Sequence, residues 1–172
     1  MQMIMPLSAA LLLAIFATNA AADEFPPRKP GAWEITTERA QHPGLVMKMC
    51  VDKETDELFH KLGAGLSQKV CDRTMIKLEG HIVTAQAHCT IGGSTMTSTS
   101  VTRFDGDKAY HMETKSHFAP AFMGRTDSVT SQDAKWVGEC PPDMKPGDFS
   151  MGHGVVMNIK MLGAIQDRLP HK

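Results

Sequence analysis

Aromatic side chains are scarce in this sequence: two tryptophans, one tyrosine and seven phenylalanines make up 6% of its 172 residues. Because aromatic residues contribute the largest buried areas, the core is expected to be thin. A domain with a thin core gains more from covalent cross-links.

A surplus of positive charge is also missing, since 18 basic and 19 acidic residues give a formal net charge of -1. That balance argues against nucleic acid as a partner, because nucleic acid calls for a basic surface.

The sequence also lacks the short motifs that mark common active sites. It contains no G-x-S-x-G, no H-E-x-x-H, no phosphate-binding P-loop and no G-x-G-x-x-G. His111 and Glu113, followed later by Cys140, have the order of a zinc deaminase, but the P-C-x-x-C of that site is absent. The D-G-D sequence at Asp105 lacks the other ligands of a calcium loop and suits a hairpin turn. We therefore predict that the protein is not an enzyme and has no catalytic residue and no cofactor.

One long apolar run is present, near the start of the chain. It extends from Leu7 to Phe16, gives way to Thr18 and Asn19, and is followed by an A-x-A site that ends at Ala22. This order predicts a signal peptide over residues 1–22, cleaved after Ala22, and hence export of the mature chain. The segment before the run has no Lys or Arg, which leaves an uncleaved anchor as the alternative. Because the run is shorter than the roughly 20 apolar residues of a spanning helix, we predict no transmembrane span after cleavage.

Four cysteines remain in the mature chain, namely Cys50, Cys71, Cys89 and Cys140. An even number in an exported chain predicts two disulfides. A zinc site or a catalytic thiol is the rival interpretation, but spacings of 21, 18 and 51 positions lack close C-x-x-C pairs. We expect Cys50 to pair with Cys71, which closes a local loop around a helix, and Cys89 to pair with Cys140. A simple meander conflicts with the second pair, because it places those two cysteines at opposite ends of the sheet.

Alternating apolar and polar residues between turn residues predict a mainly β (α+β) domain. The predicted strands cover residues 32–38, 45–51, 74–79, 81–89, 95–104, 109–116 and 126–137. Helical spacing over 54–62 predicts one helix between strands two and three, ended by Gly63 and Gly65. We expect a sequential meander of six or seven antiparallel strands, forming a curled sheet or an incomplete barrel. Residues 141–172 are predicted to be a loosely attached extension of the domain at 23–140, with an amphipathic helix over 155–169.

Several short motifs together resemble a known family. They are Lys29-Pro30-Gly31-Ala32-Trp33-Glu34 in the first strand, Met49-Cys50, Cys71, Cys89 and Gly138-Glu139-Cys140. Over residues 29–140 the sequence is similar to a family of small exported proteins of Gram-negative bacteria, the domain of unknown function number thirty-six seventeen. The resemblance implies a periplasmic location and a disulfide-bonded domain. It implies no activity, substrate or catalytic residue.

Two features depart from the family pattern. The closing motif has Glu139 where the family usually has aspartate, and 32 residues follow Cys140. The opening motif has a direct physical interpretation, because Pro30 and Gly31 predict a turn that delivers Trp33 to one face of the first strand. We expect Trp33 to be a core anchor rather than a platform that stacks on a ligand.

Methionine and histidine are the residues left for ligand chemistry. The chain has 13 methionines and eight histidines, and thioether and imidazole are ligands that Cu(I) prefers. The weak candidates for a metal site are Met151, His153, Met157 and Met161 in the extension. Because these ligands are spread along the chain, we favour methionine as a filler of irregular core gaps and predict no metal site. Copper binding or oxidant buffering stays the alternative function.

The function that we predict is non-enzymatic binding or envelope maintenance, with an apolar small molecule or a lipid as the partner. Ligand sites are mostly apolar, and methionines adapt their shape to what they contact. The concave side of a curled sheet is expected to carry Met47, Met49, Met75, Met96 and Met112.

Overall fold

The computed structural model describes residues 25–39, 42–151 and 155–166. The predicted signal peptide, its cleavage site at Ala22, and His153 lie outside these residues. In the described part of the chain the elements are β1 (Gly31–Arg39), β2 (His42–Val51), α1 (Lys53–Val70), β3 (Cys71–Glu79), β4 (Ile82–Ile91), β5 (Ser94–Asp105), β6 (Ala109–Phe122), β7 (Arg125–Gly138), β8 (Asp148–Ser150), β9 (Val156–Asn158) and α2 (Ile159–Gln166). Neither α1 nor α2 has the length and apolar character needed to span a membrane.

All nine of these strands join one antiparallel sheet in the order β3-β4-β5-β6-β7-β1-β2-β8-β9. β3 and β9 form its two edges, so the sheet is not closed. The predicted mainly β, antiparallel fold class is therefore confirmed, and the seven long strands lie where they were expected. β8 and β9 are additional, because strands of three residues are too short to show an alternating pattern.

The predicted sequential order is wrong at the β1–β2 hairpin. β1 pairs with β2 on one side and with β7 on the other, so the hairpin follows the β3–β7 meander in space. The chain leaves β2 through α1 and enters the sheet again at the opposite edge. The end of the meander then returns to the first strand, where Trp33 stands opposite Trp136. Local sequence patterns do not indicate a pairing between residues so far apart in the chain.

The helix α1 runs for 18 residues, through Gly63 and Gly65, where the prediction had ended it. A capping box fixes its start: Asp52 Oδ1 accepts from the Thr55 backbone N–H at 2.8 Å, and the Asp52 N–H donates to Thr55 Oγ1 at 2.9 Å. The Thr55 backbone N–H and hydroxyl both donate to Asp52 Oδ1, and these two bonds lower the pKa of Asp52. The helix joins the end of β2 to the start of β3, six strands away in the sheet, and its 18 residues span about 27 Å. An interior glycine costs a helix only about 1 kcal/mol relative to alanine. Gly63 and Gly65 therefore do not end α1.

The hydrophobic core lies on one face of the sheet, called the helix face here because α1 packs on it. Its buried residues are Trp33, Ile35, Met49, Val51, Ala134 and Phe149. Trp33 is 1% exposed and its Nε1 donates to the Lys29 carbonyl at 2.8 Å, which confirms Trp33 as a core anchor. Gly31 has a φ of +130°, and a Cβ there would meet the Gly138 carbonyl oxygen. The glycine of the opening motif therefore lets β1 and the end of β7 approach each other.

Both predicted disulfide pairs are wrong. Cys50 is bonded to Cys140, and Cys71 is bonded to Cys89. The cause is the strand order, because β1 brings the end of β2 beside the end of β7, with Ala32 opposite both Cys50 and Gly138. Cys71 and Cys89 stand opposite each other on β3 and β4. The expectation that the four cysteines form two disulfides is confirmed, and only the partners differ.

The extension after Cys140 is not loosely attached over residues 148–151 and 155–166, contrary to the prediction. β8 pairs with β2, where Phe149 stands opposite Met49 in the core. Phe149 is 6% exposed and Ile159, the first residue of α2, is 4% exposed. The predicted helix over 155–169 is in part the strand β9, and α2 begins after it. Two buried apolar side chains therefore tie the extension to the domain.

Candidate functional site

One end of the helix face is filled and held by a buried ion pair. Arg28 Nε lies 2.6 Å from Asp56 Oδ1, and the Arg28 backbone N–H donates to Asp56 Oδ2 at 3.0 Å. The two side chains are only 9% and 5% exposed. The guanidinium also lies 5.9 Å from the centroid of the Trp33 ring and donates to Met49 Sδ at 3.1 Å. Protein side chains occupy this end, which therefore serves stability.

Tyr110 borders the filled end and faces the same side. Its ring stacks on Trp33 with a centroid distance of 6.2 Å, and its hydroxyl donates to Gln132 Oε1 at 3.4 Å. Burial raises the pKa of Tyr110 above its usual value. The charge of Arg28 lowers this pKa by a smaller amount, and the charge of Asp56 raises it. The hydroxyl thus stays neutral near pH 7 and acts as a hydrogen-bond donor, not as a base.

Small side chains form one part of the helix face away from the filled end. They are Ala85, Ala87, Ser98, Ser100, Thr114, Ser116, Ser128 and Thr130 on β4 to β7. The registers place them in two adjacent rows across the four strands, and the Ser100 and Thr114 hydroxyls hydrogen-bond at 3.0 Å. Side chains of this size fill less space on the helix face than Trp33 and Phe149 fill at its other end.

Thr55, Phe59, Leu62, Leu66 and Val70 are three or four positions apart and lie on one stripe of α1. Thr55 is fully buried and Phe59 packs against the core. Leu66 and Val70 lie on the same stripe, yet they are 59% and 45% exposed. The stripe is therefore covered at the start of the helix and open to solvent at its end.

We call this open region the helix trough: Leu62, Leu66 and Val70 of α1, Ile76 of β3, and the two rows of small side chains. Ile76 stands opposite Ala85 on the helix face and is 42% exposed. α1 contacts β3 and β4, which form one side of the trough. Lys69, in the last turn of α1, adds a positive charge beside the stripe. The helix trough thus combines exposed apolar groups, hydroxyls and one cation.

The opposite face of the sheet, called the outer face here, carries three cross-strand pairs of histidine and aspartate. His88 lies 2.7 Å from Asp72, His111 2.8 Å from Asp133, and His117 2.9 Å from Asp127, each through Nδ1. Two open grooves of about 540 and 620 Å³ run past these pairs.

These pairs are solvent-exposed, and their chemistry is limited. The hydrogen bond from His88 lowers the pKa of Asp72, and that from His117 lowers the pKa of Asp127. Among the described residues, no three His, Cys, Asp or Glu side chains are grouped as metal ligands. The outer face is a polar surface with isolated pairs.

The methionines divide between the two faces. The strand registers place Met47, Met49, Met96 and Met112 on the helix face, as expected for one side of the sheet. Met75 is on the outer face, opposite Gln86, so its predicted position with the others is wrong. A shift of one residue in a strand moves each side chain to the other face. The β-bulge between Cys71 and Arg73 causes such a shift, which places Met75 on the outer face.

The weak metal candidates are not alike in their surroundings. Met151 and Met161 are 45% and 63% exposed, whereas Met157 packs against the core. His153 lies outside the described residues. Because Met157 packs against the core, it does not share a surface site with Met151 and Met161. Copper binding stays a prediction.

The sequence interpretation missed the second half of α1, and with it the helix trough. Ending the helix at Gly63 removed Leu66 and Val70 from the stripe. A signal was present, because the spacing from Phe59 through Leu62 and Leu66 to Val70 stays helical across both glycines.

A protein-family model described as "Protein of unknown function (DUF3617)" matches residues 28–140. The chain belongs to this family. Neither the curated proteins nor the solved structures contain a match to it. The DUF3617 segment begins at Arg28, which holds Asp56, and ends at Cys140, which is bonded to Cys50. The segment therefore includes the helix trough, the Arg28–Asp56 ion pair and the Cys50–Cys140 disulfide. The elements β8, β9 and α2 follow it in the chain.

Proposed function

We propose that this protein is a non-enzymatic binding protein of the periplasm, whose ligand is a lipid or another small molecule with an apolar chain. The observation that carries the proposal is the exposure of Leu66 and Val70, which continue the stripe of α1 that Thr55 and Phe59 bury in the core. Apolar side chains that continue a core-facing stripe are normally covered, and the two rows of Ala, Ser and Thr on β4 to β7 are too small to cover these. An apolar chain lying in the helix trough supplies the missing cover.

The composition of the helix trough favours an amphipathic ligand. Fully burying a leucine or valine side chain contributes about 1.5–3 kcal/mol, and Leu66, Val70 and Ile76 are available together. Binding sites add a few polar groups that fix the orientation of the ligand. The Ser100 and Thr114 hydroxyls and the Lys69 ammonium are such groups, and Lys69 suits an anionic head group.

Leu66→Glu is expected to weaken binding of a fluorescent fatty-acid analogue to the mature protein at least about tenfold, or ~1.4 kcal/mol. The change removes an apolar contact and places a carboxylate in the helix trough. Titration followed by fluorescence measures the effect. Met161→Glu is the matched control, because Met161 is 63% exposed on α2, outside the trough, and should keep the affinity. Equal affinity in both variants, or no binding by the unsubstituted protein, contradicts the proposal.

The periplasmic location is tested separately. Removal of residues 1–22 leaves Asp23 as the first residue of the mature protein, and the intact mass of protein from the periplasmic fraction is expected to match that start. Recovery of the full-length chain from the cytosol contradicts export.

A further inference from the structure

The edge strand β3 is long and open. Six consecutive residues, from Asp72 to Lys77, are exposed, including Met75 at 55% and Ile76 at 42%. β4 pairs with one side of β3, and no strand of the described part of the chain pairs with the other. Backbone N–H and C=O groups on that side are thus available to another strand.

The two edges of the sheet differ in kind. β9, the other edge, has three residues and continues directly into α2, which limits its use as a template. β3 has nine residues and exposes an apolar side chain on each face, Met75 outside and Ile76 on the helix side. Long edges with exposed apolar groups are the ones that pair with another chain.

We propose that β3 pairs antiparallel with β3 of a second copy of this chain, across a two-fold axis at Ile76. In this register Ile76 faces Ile76, and Thr74 faces Leu78 on the helix face. On the outer face, Arg73 of each copy stands opposite Glu79 of the other. Such a contact is self-complementary, as a two-fold interface must be.

Among the three axes near the middle of β3, at Met75, Ile76 and Lys77, the charges favour the one at Ile76. The helix faces of the two copies must lie on the same side of the joined sheet. Because side chains alternate between the faces, one strand can shift against the other only in steps of two residues. An axis at Met75 sets Arg73 against Lys77, and an axis at Lys77 sets two lysines against each other. Like charges directly opposite one another are destabilising, whereas opposite charges stabilise by about 0.2–1 kcal/mol per pair. The axis at Ile76 avoids both repulsions and gains two pairs of opposite charge.

The size of the contact sets its strength. One strand pair buries less than the roughly 1,200 Å² that marks the low end of stable interfaces. We therefore expect a reversible dimer whose population rises with concentration. The dimer shares Ile76 with the helix trough, but Arg73 and Glu79 lie on the outer face. Charge-reversal variants at those two positions therefore test the dimer without changing a residue of the trough, and ligand binding is measured separately.

Charge reversal tests the register. Arg73→Glu alone and Glu79→Arg alone each place like charges opposite one another and are expected to weaken dimerisation at least about tenfold in sedimentation equilibrium. The double variant R73E/E79R restores opposite charges and is expected to regain the original dissociation constant. Both residues are exposed, so circular dichroism of all three variants should match the unsubstituted protein. A monomer at every concentration, or a double variant no better than the single ones, overturns the proposal.

A cysteine cross-link tests the axis. Ile76→Cys brings the two new thiols face to face, so mild oxidation is expected to give a covalent dimer that reductant releases. Thr74→Cys is the matched control on the same face, because its partner position is Leu78 and its thiols stay about 13 Å apart along the strands. Equal cross-linking of the two variants overturns the assignment of the axis to Ile76.

Discussion

Replacing Cys50 and Cys140 together by alanine is expected to lower the free energy of unfolding by about 4–5 kcal/mol. The bond closes a loop with a sequence separation of 90 residues, and the loss follows from the greater freedom of the unfolded chain without it. Alanine is preferred to serine here because Cys50 is fully buried, and a serine hydroxyl would be buried without a hydrogen-bond partner. Urea unfolding measures the change, which is a large part of the about 5–15 kcal/mol typical of a domain.

The second disulfide supplies the matched control. Removing Cys71 and Cys89 opens a loop with a separation of only 18 residues, and the expected loss is about 3 kcal/mol. A larger loss in the Cys71/Cys89 variant than in the Cys50/Cys140 variant contradicts this ranking. Peptide mapping without reductant provides a direct check, since a fragment that joins Cys50 to Cys71 contradicts the strand order.

Arg28→Ala is expected to lower the free energy of unfolding by about 3–5 kcal/mol, because it leaves the buried Asp56 carboxylate without its ionic partner. The side chain of Arg28 also fills space beside Trp33 and Met49, so its loss opens the filled end of the helix face. Urea unfolding at pH 7 measures the difference from the unsubstituted protein.

The double variant Arg28→Met, Asp56→Leu separates charge from packing. Replacing both partners of a buried ion pair by apolar residues of similar size is often close to neutral, so most of the stability should return. Arg103→Ala, on the exposed part of β5, is the control and should stay within about 0.5 kcal/mol. If Arg28→Ala behaves like Arg103→Ala, the ion pair does not hold the domain together.

The sequence predicted local structure well where turn chemistry and alternation agree. Gly80, Gly92 with Gly93, and Gly106 mark the hairpins between β3 and β6, and all four adopt positive φ in those turns. These signals involve neighbours in the chain, so they can be read without knowing the fold. The fold class and the seven long strands followed from them.

The errors have a common source in contacts between distant segments. The position of β1 beside β7 depends on which strands share buried faces, and this one pairing decides the partners of Cys50 and Cys140. Phe149 belongs to the core only because β8 pairs with β2. Neither relation leaves a periodic signal in the sequence.

The helix trough was accessible to sequence reasoning in part. Gly63 and Gly65 were treated as stops, although the apolar spacing from Phe59 to Val70 continues through them. The small residues of β4 to β7 were visible as stretches rich in serine and threonine. That they lie on the same face as Trp33 follows only from the registers.

The two disulfides are nested, since the loop from Cys71 to Cys89 lies inside the one from Cys50 to Cys140. A chain oxidised in the order in which its cysteines emerge would join Cys50 to Cys71 first and leave Cys89 for Cys140. The native pairs are reached from there only by thiolate attack on an existing bond and exchange of partners. A chain oxidised in that order therefore reaches the native connectivity only after exchange of partners, whereas a chain in which Cys71 first bonds to Cys89 within the β3–β4 hairpin reaches it directly.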